Sequence, residues 1–304
     1  MIRLHRHQFQ CYTAMAVRSS TALFALLMLV FAASAQVPVA KQAGGLDTPP
    51  RTWVDAAASN EMRIINSDDG KTPLRYRMRK VDDRGDITRE VIESRSGNVA
   101  RLVQRNGQPI TTAEDAAEQQ RLKDILASPG DFIRHHRRDD ATRNDSIQLV
   151  KEMPKAMIFT YAPGQPQLPG VAGHQIVIDF TPDKNYKTPE TLDDLLTGIE
   201  GRMWIDVQAR RVVRIEGHVL QDVKFGWGFL GKISRGGTIV LNQVDATGDR
   251  WVYSQLDTHL TLRVLVKTIQ MNDKMTATDF RPLPGPISVQ DAVKTLLAMP
   301  VTLR

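Results

Sequence analysis

The chain has 304 residues, of which 41% are hydrophobic and 24% charged, a balance that excludes a disordered protein and is typical of a globular one. Its only cysteine, Cys11, lies close to the N-terminus, so the rest of the chain can form neither an internal disulfide nor a thiol active site. The formal net charge of +6 falls to +3 when Arg3, Arg6 and Arg18 of residues 1–35 are set aside, which argues against a nucleic-acid-binding protein.

Residues 1–35 have the pattern of a secretory signal peptide. Arg18 precedes an apolar run over residues 22–33, and Ala33-Ser34-Ala35 is a small-x-small cleavage site. A run of about twelve apolar residues is shorter than the roughly 20 that a membrane-spanning helix needs. We therefore expect cleavage after Ala35 and a periplasmic or secreted protein, with retention as an N-terminal anchor as the alternative. Met1 and Met15 both stay open as the start.

Residues 36–50 are rich in Ala, Gly and Pro and are predicted to form a flexible tether, with a single domain over residues 51–304. Within that domain the apolar spacing predicts the following elements in chain order. They are a helix over 52–64, strands over 74–79, 87–94 and 99–104, a helix from 112 to 128 capped by Thr111 or Thr112, a short helix over 147–153, strands over 158–161 and 175–180, helical turns over 189–196, and a last helix over 289–299 opened by Ser288.

Residues 201–280 carry the strongest fold signal. Short runs rich in Val, Ile, Leu, Thr and Trp cover 201–207, 212–220, 238–244, 251–256 and 260–271. Breaker residues separate most of them, and a turn is expected at 272–274. No helix-length periodic segment lies between the runs, so successive strands are predicted to pair antiparallel. The predicted fold class is α+β, with a strongly curved antiparallel sheet of about ten strands, an unclosed barrel, and helices over its concave face.

The loop near residue 226 combines glycines with large apolar side chains. Residues 226–231 read GWGFLG and match GxGxxG, but a turn follows at 235–237, so no helix is available to bind a dinucleotide phosphate. We expect Phe225, Trp227, Phe229 and Leu230 to form a gate loop that closes over an apolar cavity or dips into a membrane surface. The alternative is that they fill one end of the sheet's own core.

The sequence offers no catalytic or metal-binding motif. It has no GxSxG elbow or SxxK motif, and its histidines lack the spacing of a zinc site. We therefore predict a protein that is not an enzyme, with no cofactor, no metal and no catalytic residue.

Several stretches together resemble a known group of exported proteins. They are RLVQRNGQPI at 101–110, GRMWID at 201–206, RVVRIE at 211–216, residues 226–232 with RGG at 235–237, and DRW at 249–251. In this order they resemble uncharacterised exported bacterial proteins similar to the LolA/LolB-like outer-membrane lipoprotein sorting family, the lipoprotein carriers. The resemblance implies a curved, unclosed antiparallel sheet whose apolar concavity accepts lipid acyl chains.

Three functional hypotheses follow. The first is a periplasmic carrier or binding protein for a lipid or lipidated ligand, in which acyl chains, for example those of a lipoprotein, are bound without covalent chemistry. The second is a non-catalytic component of the cell envelope that docks a protein partner, and the third is a hydrolase whose site the sequence does not reveal. For the carrier, alternation along the strands predicts seven cavity-facing residues. They are Ile176, Ile178, Val213, Ile215, Leu260, Leu262 and Val264.

Overall fold

The structure, a computed structural model, describes residues 46–66, 72–136, 139–187, 191–225, 231–248, 250–264 and 267–304. The predicted signal peptide and most of the predicted tether therefore lie outside the described residues. The single-domain boundaries stay a prediction. Within the described residues, no helix is both long enough and apolar enough to span a membrane.

The described residues form five α-helices, one 3-10 helix and thirteen strands. The helices are α1 (Pro50–Asn66), α2 (Thr112–Ala127), α3 (Pro129–His136), α4 (Asp139–Ala156), a 3-10 helix (Thr191–Thr197) and α5 (Val289–Ala298). The strands are β1 (Leu74–Asp82), β2 (Gly85–Ser94), β3 (Gly97–Arg105), β4 (Gln108–Pro109), β5 (Met157–Tyr161), β6 (Gln175–Pro182), β7 (Ile199–Asp206), β8 (Val212–Val219), β9 (Val223–Phe225), β10 (Gly231–Ile233), β11 (Thr238–Asp245), β12 (Trp251–Val264) and β13 (Lys267–Pro282).

These strands form one antiparallel sheet that does not close. Its order is β4-β3-β2-β1-β13-β12-β11-β8-β7-β6-β5, and the short β9–β10 hairpin joins it through β12. The first hairpins meet the C-terminal meander where β1 pairs with β13, and β4 and β5 stay at opposite ends. A parallel bridge between Ile110 and Leu303 lies outside the named strands. The predicted fold class, an unclosed antiparallel sheet with helices, is confirmed.

Helices cover both faces of the sheet, in different places. On the face that we call the inner face, α1 and α4 pack over β6 and β7 around Trp53, Met203 and Ile205. Side chains of neighbouring strand residues point to opposite faces. In β2, Val91 packs with Tyr76 toward the inner face, whereas Ile92 packs against α2 and α5 on the outer face. The prediction that the helices cover the concave face therefore holds for α1 and α4 but not for α2 and α5.

Two predicted boundaries were wrong, and for the first of them the reason is that long-range strand pairing overrides the local signal. The breakers at 272–274 do not form a turn, since Asn272, Asp273 and Lys274 pair with residues of β12 and continue β13. The hairpin instead reverses between Val264 and Lys267, which pair with each other. The helix predicted over 147–153 is also longer, because α4 begins in the charged segment and includes Pro154 in its last turn.

The predicted caps of α2 and α5 are confirmed. The Thr111 hydroxyl accepts a hydrogen bond from the Glu114 backbone amide at 3.2 Å, and the Glu114 carboxylate accepts one from the Thr111 amide at 2.9 Å. This reciprocal pair is a capping box. Ser288 caps α5 through its hydroxyl alone, which accepts from the Asp291 amide at 3.1 Å.

We expect Thr111→Ala to lower the free energy of unfolding by about 1 kcal/mol, because the first turn of α2 loses its side-chain acceptor. Urea denaturation followed by circular dichroism measures this loss. Thr111→Ser keeps the hydroxyl and is the matched control, with an expected change of less than about 0.5 kcal/mol. Equal losses in the two variants would contradict the assigned capping role.

Candidate functional site

The inner face of the sheet is not completely filled by the protein's own side chains. A first chamber of about 150 Å³ lies between α1, α4 and strands β7, β8, β11 and β12. A second chamber of about 170 Å³ lies between α4, the 3-10 helix and strands β5 to β8 and β10 to β13. Leu149, Met153 and Ile215 line both chambers, so the two are neighbours across one apolar wall.

The chambers differ in the chemistry of their walls. The second chamber has an almost entirely apolar surface, to which Leu195, Ile239, Leu256 and Leu260 contribute. The first chamber is also mainly apolar, but Glu61, Gln243 and Tyr253 line it among eleven apolar residues. Together the chambers only just exceed the lower end of the roughly 300–1,000 Å³ that ligand pockets occupy. Without a movement of the protein they have room for one short apolar chain.

The predicted cavity residues on β8 and β12 occupy several environments. Ile215 lines both chambers, and Leu260 lines the second one. Leu262 is buried in the apolar cluster that borders the second chamber and also contains Leu260. Val264 is partly exposed at the end of β12. Contact of these residues with a ligand stays a prediction.

Ile176 and Ile178 lie on the inner face but away from the chambers. They are 3% and 0% exposed and pack in a filled cluster with Trp53 and Val54 of α1. Neither residue lines a chamber among the described residues. Their position makes them supports for the chamber walls.

Val213 was predicted to face the cavity, and this prediction was wrong. The register between β7 and β8 shifts at this point: Trp204 pairs with Arg214, whereas Ile205 pairs with Val212. Val213 is therefore the extra residue of a β-bulge, and it packs with Val177 and Trp204 on the outer face. The bulge leaves its neighbour Val212 to line the first chamber instead.

The predicted gate loop is largely outside the described residues. Trp227, Phe229 and Leu230 fall in the segment 226–230, so the gate stays a prediction. The backbone of Phe225 ends β9, where it pairs with Gly231 of β10.

The polar side chains of the first chamber form one buried cluster. Glu61 and Gln243 are 6% and 5% exposed. With its amide oriented to satisfy its neighbours, Gln243 donates hydrogen bonds to Glu61 Oε1 at 3.3 Å and to the Val212 carbonyl at 3.0 Å. The Arg211 guanidinium lies 3.7 Å from the same Glu61 oxygen. The cluster thus ties α1 to β8 and β11 at the wall of the chamber.

Burial raises the pKa of two groups in this cluster, Glu61 and Tyr253. Burial raises the pKa of the Glu61 carboxyl, and the positive charge of Arg211 partly offsets that rise. Burial and the nearby Glu61 carboxylate also raise the pKa of Tyr253, which therefore keeps its hydroxyl proton at neutral pH. The cluster accordingly places the Glu61 carboxyl group beside the phenolic hydroxyl of Tyr253.

A second bulge positions two of the polar groups. Between β11 and β12, Asn242 pairs with Gln255 but Gln243 pairs with Tyr253, so β12 contains an extra residue. Gln243 and Tyr253 thereby lie side by side on the inner face. Because the bulge on β8 leaves Val212 on this face as well, two of the four register shifts in the described sheet meet at the first chamber.

The sequence analysis missed Glu61, Arg211, Gln243 and Tyr253. A signal for two of them was present: Glu61 is in helical phase with the buried Val54 and Ala57, and Gln243 is in strand phase with Ile239 and Leu241. A polar residue that continues an apolar stripe is a candidate buried polar group. No such pattern indicated Arg211 or Tyr253.

A groove on the surface leads toward the first chamber. It runs between α1 and α4, and Ala58, Val150 and Pro154 border both the groove and the chamber. The charged side chains of Arg51 and Lys155 lie along its rim. The seam between the two helices is therefore a short path from solvent to the chamber.

The described residues contain no group of three or more His, Cys, Asp or Glu side chains that could hold a metal ion. The site therefore has to be interpreted from its cavity and its buried polar cluster.

Comparison with known proteins gives a structural similarity but no match to a family model or a curated protein. Among solved structures, a Vibrio parahaemolyticus domain assigned to outer membrane lipoprotein sorting is similar, with 10% sequence identity and a TM-score of 0.31. The match covers 83% of this chain and 99% of that domain. At this TM-score the likeness carries no argument about function.

Proposed function

We propose that the protein is a periplasmic carrier or binding protein for a lipid or lipidated ligand, with no covalent chemistry. The observation that supports this proposal is the pair of adjoining apolar chambers beneath α1 and α4. A protein core is normally packed with few voids larger than a water molecule, so two neighbouring chambers of this size are unusual. Unfilled apolar space of about 150 Å³ stays dry and takes up apolar molecules.

The driving force would be the transfer of an acyl chain from water into the chambers. Each buried methylene contributes about 0.8 kcal/mol, so even a short chain gains several kcal/mol. Access would follow the groove between α1 and α4, where the small residue Ala58 separates solvent from the first chamber. A longer chain requires that α4 moves away from α1, since the chambers at rest are small.

We expect Ala57→Leu to reduce binding of an apolar probe by at least about tenfold. Ala57 is 1% exposed and lines the first chamber, so a leucine side chain there occupies space that the ligand needs. The readout is the fluorescence of N-phenylnaphthylamine titrated with the purified protein. Thermal unfolding is measured alongside, because a filled cavity should leave stability unchanged or higher.

Ala56→Leu is the matched control, because Ala56 is one residue away on α1 and lines neither chamber. We expect it to bind the probe as the unmodified protein does. Native mass spectrometry of gently purified protein completes the test, with co-purifying lipid as the expected result. Absence of bound lipid together with absence of probe binding would overturn the carrier proposal and favour the docking of an envelope protein partner.

A further inference from the structure

The buried polar cluster ties α1 to β8 and β11, and it also lines a chamber whose other walls suit only hydrocarbon. Burying a carboxylate and an amide next to an empty apolar space is costly unless they find partners. A ligand pocket that is mainly apolar and contains a few convergent polar groups usually uses those groups to orient one polar end of the ligand. Glu61, Gln243 and Tyr253 converge in this way on the first chamber.

The charges of the cluster limit which kind of ligand head group can bind in the first chamber. Glu61 and Arg211 form a near-neutral pair with 3.7 Å between the guanidinium and Oε1. Gln243 also contacts Oε1, so among the described residues both partners of the carboxylate are on the same oxygen. Oε2 keeps the capacity to accept a hydrogen bond. Pairing with Arg211 favours the charged form of Glu61, which would repel a ligand carboxylate, and a ligand without a donor would leave the acceptor unsatisfied.

We propose that the first chamber binds the hydroxyl end of a single-chain amphiphile, such as a fatty alcohol or a monoacylglycerol, with Glu61 accepting its hydrogen bond and the chain extending along Leu149 and Met153 into the second chamber. This proposal rests on the proposed carrier function and adds the class of ligand. Two of the four register shifts in the described sheet support it, because they bring Gln243, Tyr253 and the Val212 carbonyl to this one place. Bulges occur more often than average next to binding sites, where they re-aim side chains.

The test compares three probes whose alkyl chains differ by no more than one methylene, a difference of about 0.8 kcal/mol that is smaller than the expected effect. Octanol, octanoate and methyl octyl ether each compete with N-phenylnaphthylamine for the purified protein at neutral pH. Octanol should compete at a concentration about tenfold below either of the others, which corresponds to about 1.4 kcal/mol. If the three probes compete equally, or if octanoate is the strongest, the head-group proposal is overturned while the carrier function stands. If none of them binds and the fluorophore does not bind, both proposals fail.

A charge substitution gives a second, independent measurement. Glu61→Gln keeps the size of the side chain but leaves Arg211 without its carboxylate partner, so octanoate should gain at least about tenfold relative to octanol. Glu200→Gln is the matched control: Glu200 lies in an outer-face groove with Arg202 and His218, and the ratio should not change there. An unchanged ratio in a folded Glu61→Gln variant would overturn the proposal. If the Glu61→Gln variant does not fold, the three-probe comparison on the unmodified protein alone tests the head-group proposal.

Discussion

Gly201→Ala should lower the free energy of unfolding by about 3 kcal/mol or more, at the upper end of what overpacking in a core costs. A Cβ at position 201 would lie 1.9 Å from the Glu216 carbonyl oxygen of β8 and 2.7 Å from Cζ of Phe180. The carbonyl belongs to the backbone, so the clash is relieved only if β7 and β8 separate. Because Phe180 also lines the second chamber, the same shift should weaken probe binding.

Gly217→Ala is the matched control, since Gly217 is the cross-strand partner of Gly201. A Cβ there would have its nearest neighbour, Ile199 Cγ2, at 3.4 Å, which is an ordinary contact. We expect a change of less than about 1 kcal/mol, with a small gain because alanine is less flexible than glycine in the unfolded chain. Thermal and urea unfolding of both variants measure the difference. If the two substitutions have equal effects, the described register of β7 and β8 is wrong.

The second large effect is expected at Arg101, whose side chain connects three elements on the outer face. The residue is 2% exposed, and its Nη2 donates to Asp115 Oδ1 of α2 at 2.8 Å. Its Nη1 donates to the carbonyls of Leu296 and, at 3.0 Å, of Met299 at the end of α5. One guanidinium therefore pairs with a largely buried carboxylate and satisfies C-terminal helix carbonyls.

Arg101→Met should cost about 3–5 kcal/mol, because it leaves Asp115 as a buried charge without its cation. Arg121→Met is the control on α2, since the Arg121 side chain is exposed where it pairs with Glu118, and it should cost about 1 kcal/mol or less. Arg101→Met combined with Asp115→Leu should recover much of the loss, because no buried charge is left. Urea denaturation of the set measures these differences, and a loss at Arg101 no larger than at Arg121 would refute the assigned role.

Local sequence signals were sufficient for most elements of the fold. The capping box at Thr111 and the cap at Ser288 depend on residues three positions apart, so they are visible without a structure. The β-branched run of β6 and the turn residues between β7 and β8 are local in the same way. This is why the antiparallel sheet could be predicted.

The candidate site could be predicted only in part. Ile215 and Leu260 were expected to face a cavity because apolar residues alternate along their strands, and both line a chamber. Val213 was assigned to the wrong face because strict alternation fails at a bulge. A bulge depends on the register of the partner strand, so the residues of β8 alone do not indicate it.

The amino-acid sequence by itself determined the antiparallel meander, the capped starts of α2 and α5 and the apolar character of the inner face, because each follows from the spacing of residues within one element. Only the tertiary structure decided which elements cover which face, where β12 turns into β13, and that Glu61 meets Arg211. These depend on contacts between residues far apart in the chain, since α1 and β8 are about 150 positions apart in sequence. The cavity and its polar cluster belong to this second group, because a void and its lining are created only when all the elements have packed together.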